Sequence, residues 1–392
     1  MITDSFTEYV REAEKLVEGA PHVRTDLDLA EGYHYLAGSI EACIHMAWAH
    51  DKDYPYFAQS TGPYTKMGLD NPDTLYFHAN IRDNEEYVVS GIRGSTTDLS
   101  FQILAGDYTP VHVPDSLTAF DDRSITVESD GRFELRFGPP RESPPSDYFA
   151  LGPGSSMLVV REVYSDWDSE QRGTLRITRV GSDAGAPPAD TIDLMSRRFA
   201  AAGKSLVSRI TTFLAFPSWF YLNLPVNSMT EPRLTPGGLS TQFSSAGHYE
   251  LSDDEVLVIT VPRAPNSLAP YQGFQLGSMW YVSLDYINHQ TSLTADQARV
   301  DPDGMIRLIV SERDPGMTNW IERTGHSRGY VQCRWQRVTS DLTESDGPTV
   351  RVIAFDDLPT EVPYYDEARI DSDEWAARIL ARKTAIASRM LA

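Results

Sequence analysis

EYVVSGIRG, residues 86–94, sets Tyr87 and Val89 on one side of an extended chain and Val88 and Ser90 on the other, the two-residue period of a strand with one buried face. The same texture continues in LSFQILAG (99–106), SITVES (124–129), FELRFG (133–138), MLVVREVY (157–164) and GTLRITRV (173–180), with Gly, Pro, Asp and Asn between the runs. Six short strands punctuated in this way predict a sandwich or a jelly-roll-like barrel.

The chain on either side extends that reading. Residues 3–19 and 26–49 have helical periodicity, the second with Leu29, Tyr33, Leu36, Ile40, Ile44 and Trp48 three or four apart. After the six runs, the small, proline-containing VGSDAGAPPAD (180–190) reads as a linker, and a helix is expected from Thr191 to Phe216 with Pro217 as its stop. Strand candidates then resume with WFYLNLP (219–225), STQFSSAGHYEL (240–251), EVLVITVP (255–262), MIRLIVS (305–311), GYVQCRWQRV (329–338) and TVRVIAF (349–355). A charged amphipathic helix is expected from Ser372 to Met390. The expected fold is therefore mainly β with flanking helices, in tandem β-sandwich or jelly-roll-like units. Its parts are a helical segment at 1–50, a first β-unit at 51–180, a linker and connecting helix at 181–217, a second β-unit at 218–365 and a terminal helix at 366–392. No repeat of 20 to 50 residues is visible, which disfavours a propeller or solenoid.

A chain of 392 residues, 41% of them hydrophobic, has room for two cores. Its formal charge of −22 repels phosphate backbones and anionic lipid, so neither nucleic acid nor a membrane is expected as a partner. The two cysteines, Cys43 and Cys333, lack the spacing of a zinc site. With charges throughout the N-terminal segment and no long apolar window, the expected setting is cytoplasmic. GxSxG, HExxH, Walker and Rossmann patterns are absent, and LGPGSS (151–156) lacks the lysine and helix of a phosphate loop. No cofactor or metal is expected.

Chemistry-bearing side chains concentrate in three places. LDNPDTLYFHANIRD (69–83) opens with a turn signal and would project Asp73, Tyr76 and His78 toward a pocket; its bland reading is a turn entering a strand. In YQGFQLGSMWYVSLDYINHQTSL (271–293), a short helix from Ser278 to His289 would align Tyr281, Asp285 and His289 on one face, with Trp280 facing inward. A carboxylate beside an imidazole suits acid–base catalysis, although an exposed helix pair has the same spacing. RDPGMTNWIERTGHSRGYVQCRW (313–335) offers Asn319, a flat Trp320, His326 after a glycine, and Arg334 as a carboxylate anchor or a buried partner for Asp314.

These stretches, with GYHYLAGSIEACIHMAWAHDKDYPYF (32–57), YVVSGIRG, VREVYSDWDSEQRGTLRITRVG (160–181) and GHYELSDDEVLVIT (247–260), together resemble the bacterial family called domain of unknown function 1214, often paired with domain of unknown function 1254. The resemblance implies tandem β-sandwich or jelly-roll-like units and transfers no reaction. The leading functional expectation is a cofactor-independent hydrolase or lyase acting on a glycoside, lipid alcohol or polycyclic natural product. His326, Asp285 and His289 would move protons, Tyr281 or Tyr76 would donate to a leaving oxygen, and Trp320 or Trp280 would stack on the substrate, with Asn319, Asp73 and Arg334 as further binding residues. The alternative is a non-catalytic small-molecule-binding or scaffold protein. A homo-oligomer is an open expectation.

Overall fold

In the computed structural model, Tyr87 and Val89 are fully buried while Val88 and Ser90 are only partly so, as a strand covered on one face requires. The structure describes residues 1–49, 51–106, 108–109, 111–182, 187, 189–235 and 241–391; part of the expected linker at 180–190 lies outside them. Helices α1 (Asp4–Glu18) and α2 (Asp26–Ala49) precede nine strands: β1 (Ala58–Thr61), β2 (Thr74–Asn80), β3 (Tyr87–Ile92), β4 (Asp98–Ala105), β5 (Asp115–Asp121), β6 (Arg132–Gly138), β7 (Tyr148–Ala150), β8 (Ser155–Val163) and β9 (Thr174–Arg179). Helix α3 (Ile192–Phe220) follows. Ten more strands come after it: β10 (Ser228–Met229), β11 (Arg233–Leu234), β12 (Phe243–Glu250), β13 (Glu255–Pro262), β14 (Tyr271–Gly277), β15 (Ser292–Thr294), β16 (Met305–Ser311), β17 (Trp320–Glu322), β18 (Arg328–Gln336) and β19 (Thr349–Ala354). The short α4 (Leu358–Glu361) and then α5 (Ser372–Leu391) complete the chain.

The strands form two sandwiches. In the first, sheet β1-β2-β8-β4-β5 packs Phe101, Ile103, Leu158 and Val160 against Val89, Leu135 and Phe137 of sheet β7-β6-β3-β9. In the second, sheet β10-β12-β18-β14-β15, with β11 also on β12, packs Phe274, Val331, Cys333 and Trp335 against Ile259, Val261 and Leu308 of sheet β17-β16-β13-β19. One topology thus occurs twice, down to a parallel pair at the edge of each small sheet, β6 with β7 and β16 with β17.

Because side chains alternate across a strand, burying the odd residues of β4 sends Ser100 and Gln102 to the outer face. The outer faces of the two large sheets are turned toward each other. Asn71 Nδ2 and Asp73 both bond the Tyr271 hydroxyl across this junction, and Gln275 donates to the Asp70 carbonyl. Helices α1, α2 and α3 bury Val17, Leu36, Cys43, Leu206 and Ile210 against Trp280 and Val282. Among the described residues no helix is long and apolar enough to cross a membrane, and both cysteines are buried thiols.

Several expectations are corrected. SITVES forms no strand: Asp121 caps a short 3₁₀ turn at Asp122–Ser124, and the strand lies just before it, in β5. WFYLNLP is not a strand either, because α3 runs one turn past Pro217 to Phe220. A proline so near a helix end removes one backbone bond, and the Tyr221 amide still closes on the Pro217 carbonyl at 2.9 Å. In α2 the buried face is Tyr35, Leu36, Ser39, Ala42 and Cys43, whereas Tyr33 is exposed and bonds Glu18.

Candidate functional site

Asn71 organises the turn that leads into β2: its side-chain oxygen accepts the Asp73 amide at 3.1 Å and its carbonyl the Thr74 amide at 3.0 Å, the local bonding that makes Asn-Pro-Asp a turn. From there β2 carries Thr74, Tyr76 and His78 on its outer face. Arg161 of β8 lies directly opposite Tyr76 in register, its guanidinium 5.9 Å from the phenol ring, within cation–π reach. The Asn71 amide donates to the Tyr76 hydroxyl at 2.9 Å, and His78 Nδ1 bonds Ser60 Oγ at 2.9 Å. Facing them, β18 contributes Gln332, Arg334 and Gln336.

Between the two faces lies a cavity of about 490 Å³. The end of α3 supplies an aromatic wall of Phe213, Phe216 and Phe220, continued by Tyr221 and Tyr281. Phe216 and Tyr281 have ring centroids 5.2 Å apart, Tyr221 and Tyr281 5.3 Å, and the Tyr281 hydroxyl donates to that of Tyr221 at 2.8 Å.

Among the described residues, the charges that line the cavity are unbalanced. Arg161 pairs with no carboxylate among the described residues, and burial lowers its pKa from the usual arginine value. Arg334 likewise has no ion pair among the described residues; it donates to Gln275 Oε1 and, at 2.5 Å, to the Leu69 carbonyl. Asp70, the one lining acid among the described residues, already accepts the Ser283 amide at 3.1 Å and hydroxyl at 2.8 Å. Among the described residues, Arg161 Nη1, Thr74 Oγ1, Gln332 Oε1 and Gln336 Oε1 have no hydrogen-bond partner. Buried polar atoms are rarely left so, and these four lie on both faces of one cavity, two on each sandwich. Burial pushes the Tyr76 hydroxyl up, against the pull of the Arg334 and Arg161 charges, and the Tyr281 hydroxyl well up. Both stay protonated donors.

Of the residues singled out in the sequence, Tyr76, His78, Tyr281 and Arg334 line this cavity. Asp73 lies behind the wall, accepting from the Tyr271 hydroxyl at 2.7 Å and Trp167 Nε1 at 2.8 Å. Burial raises its carboxyl pKa, opposed by the Tyr271 bond and by the charges of Arg389 and Arg382. The helix expected over 278–289 does not form. Tyr281 has a left-handed φ of 57°, and the Asp285 side chain accepts the Ile287 amide at 3.0 Å and the Asn288 amide at 3.1 Å, the side-chain competition that diverts a backbone from helix. The trio is accordingly dispersed: His289 Nδ1 pairs with Glu322 at 2.8 Å, and neither Asp285 nor His289 lines the cavity.

The remaining candidates have structural partners. Trp280 donates to the Asp28 carbonyl at 2.7 Å and packs on His22. Asn319 exchanges two bonds with the Arg299 backbone. Trp320 donates to the Ser311 carbonyl and packs on Trp375 of α5, ring centroids 5.0 Å apart. Arg334 does not meet Asp314, whose side chain accepts the Gly316 amide. Among the described residues, no three His, Cys, Asp or Glu side chains gather as metal ligands.

His326 has the most specific electrostatics of this group. Its Nε2 lies 2.7 Å from Glu31 of α2 and its Nδ1 2.7 Å from the Arg323 carbonyl. An acceptor within reach of each nitrogen favours the doubly protonated ring, which donates from both. Burial works against that charge, but the Glu31 and Arg323 bonds prevail and its pKa is raised. A raised histidine contributes stability that is complete below its unfolded pKa, about 6.5, and is lost as pH rises through the folded value. Neighbouring His22 has the opposite sign: burial holds it down to about 4 against Asp28, with Arg328 adding to the lowering, so its contribution fades as pH falls below about 6.5. Glu31→Gln isolates the first effect. In urea unfolding it is expected to cost about 1 kcal/mol at pH 6 and much less at pH 9; equal losses would refute the ion pair.

Arg161 is the site residue that reading the motifs missed. A signal was there: in MLVVREVY the two-residue period puts Arg161 on the face opposite Val160, where an unpaired charge must meet another layer. Gln332 and Gln336 follow the same parity in β18. Phe213, Phe216 and Phe220 belong to a helix read only for its core stripe.

Neither a family model nor a curated protein matches the chain. Among solved structures it is similar to an uncharacterized protein from Burkholderia cenocepacia, with a TM-score of 0.79 and 26% identity over 90% of this chain and 96% of that one. The VPA0106 protein from Vibrio parahaemolyticus gives a TM-score of 0.46 and 12% identity over 87% of this chain and 100% of that one.

Proposed function

We propose that this protein binds a small molecule carrying an anionic group, a carboxylate first of all, on an apolar or aromatic body, in the cavity between the two sandwiches. One observation carries the reading: Arg161 lines an aromatic-walled cavity without a carboxylate partner among the described residues, in a chain of net charge −22. Guanidinium matches carboxylate bidentately, and a cavity near 490 Å³ is of small-molecule size. The segments that build the wall, DNPDTLYFHANI and GYVQCRW, also carry the resemblance to domain of unknown function 1214. We include a divergent membership of that family in the proposal. A cytoplasmic setting is likewise part of it and is supported by the two unpaired thiols.

The test is a thermal-shift and calorimetric panel of aromatic and aliphatic carboxylic acids beside their methyl esters. The acids are expected to raise the melting temperature and the esters to do so far less. Arg161→Gln should weaken the best acid by roughly 10- to 100-fold, the worth of one charge-assisted bond. Esters binding as well as acids, or an unaffected variant, would overturn the proposal.

A second reading, turnover of that ligand by a hydrolase or lyase, is favoured by His78. Its Nδ1 is held by Ser60 on the face that carries Tyr76 and Arg161, and an imidazole fixed in one orientation beside a phenol is suited to proton transfer. Mass analysis of recovered ligand decides between them. A product that His78→Gln fails to form supports catalysis, and unchanged ligand supports binding alone.

A further inference from the structure

We infer that the cavity is a two-headed anion site, taking a dicarboxylate whose ends are held by Arg161 and Arg334, one from each sandwich. The inference rests on the reading of the cavity as an anion site and specifies its ligand further.

It begins with the repeated topology. In each large sheet a nine-residue strand runs through the middle, β8 in one and β18 in the other, and each arginine is the seventh residue of its strand. The neighbouring strands agree. Arg161 pairs with Ser100, the third residue of β4, and Arg334 with Gly273, the third residue of β14. The two guanidinium groups therefore occupy equivalent places in two copies of one motif, and the copies face each other across a single cavity that both arginines line.

Charge and hydrogen bonding point the same way. Among the described residues, two cations with no ion pair share a space whose one lining acid, Asp70, is already bonded to Ser283. Like charges in a partly desolvated site are costly unless counter-charges arrive, and two carboxylates supply one for each. Gln332 and Gln336, both only 3% exposed, flank Arg334 on the same face with amide oxygens that no described residue fills. Their counterparts beside Arg161 are Val159 and Val163. The Arg334 end is therefore the more polar head, suited to an anion that also carries a hydroxyl or N–H, and the Arg161 end the more apolar one.

The experiment uses the full chain and calorimetry with α,ω-dicarboxylates on aromatic and aliphatic spacers of increasing length, each beside its monomethyl ester. One spacer length is expected to be preferred, and its diacid to bind at least about tenfold tighter than its monoester. Arg161→Gln and Arg334→Gln should each bring the diacid down to the monoester's affinity. Arg334 also holds the Leu69 carbonyl, so Arg334→Lys, which keeps the charge, is measured with it and is expected to fall between the parent and Arg334→Gln. If the monoester binds as tightly as the diacid, both arginines clamp one carboxylate and the two-headed reading fails while the anion site stands. If no member of the series binds, the anion site fails and this inference with it.

Discussion

Asp73→Ala is expected to lower stability by about 3 to 5 kcal/mol in urea unfolding followed through tryptophan fluorescence, while Asp73→Asn is expected to cost less than half as much. Asp73 is 1% exposed and joins three parts of the molecule. It ends the turn before β2, accepts the Tyr271 hydroxyl from β14 at 2.7 Å, and accepts Trp167 Nε1 at 2.8 Å. Trp167 in turn lies under α5, with the Arg382 and Arg389 guanidiniums each 4.2 Å from its ring. Alanine leaves the indole N–H without an acceptor in a place water does not reach, and such orphaned donors cost roughly 1 to 3 kcal/mol each. Asparagine keeps an oxygen for the indole and can turn its amide N–H toward the Tyr271 oxygen, whose hydrogen then goes to Asn71 Oδ1 at 3.2 Å. Equal losses in the two variants would mean that the carboxylate acts mainly through its charge on Arg382 and Arg389.

How much of this was legible in sequence depends on whether a residue's role is local. β3 and β6 declare themselves because one face is buried and the alternation is visible within the strand. β14 hides because Gln272 and Gln275 and two glycines break up its apolar pattern, although all seven of its residues are buried. β5 hides as well, being half exposed and polar. The same division runs through the site. Tyr76 and Arg334 lie in motifs dense enough to attract notice, but what makes them a site is the partner face, supplied by residues far away in the chain. Arg161 looks like an ordinary surface residue of a strand until a second sandwich covers that surface. The acid–base trio failed where a local pattern, four-residue spacing, was trusted over the side-chain bonds by which Asp285 makes its own turn.

Gly91→Ala, in the stretch that announces the fold, is expected to cost about 3 kcal/mol, at the upper end for overpacking. The reason is close approach. A Cβ at Gly91 would overlap the Thr174 carbonyl oxygen, a Cβ at Gly173 would overlap the Ile92 carbonyl oxygen, and one at Gly94 would overlap the Gln171 carbonyl oxygen. These contacts are with backbone, and β3 pairs with β9 from Tyr87↔Arg179 to Ile92↔Thr174, so neither strand can yield without opening the ladder. Gly304 provides the contrast. Its φ of +80° strains an L-residue, yet a Cβ there has no neighbour within 4 Å, so Gly304→Ala should cost only about 1 to 2 kcal/mol. Thermal and urea unfolding of the two variants separates steric from conformational demand. If Gly91→Ala proved no worse than Gly304→Ala, the close approach of β3 and β9 would not be required by the fold. If it is worse, these glycines mark where the outermost strand of the small sheet is drawn against its neighbour, and GIRG and GTL become a spatial signature that strand propensity alone does not contain.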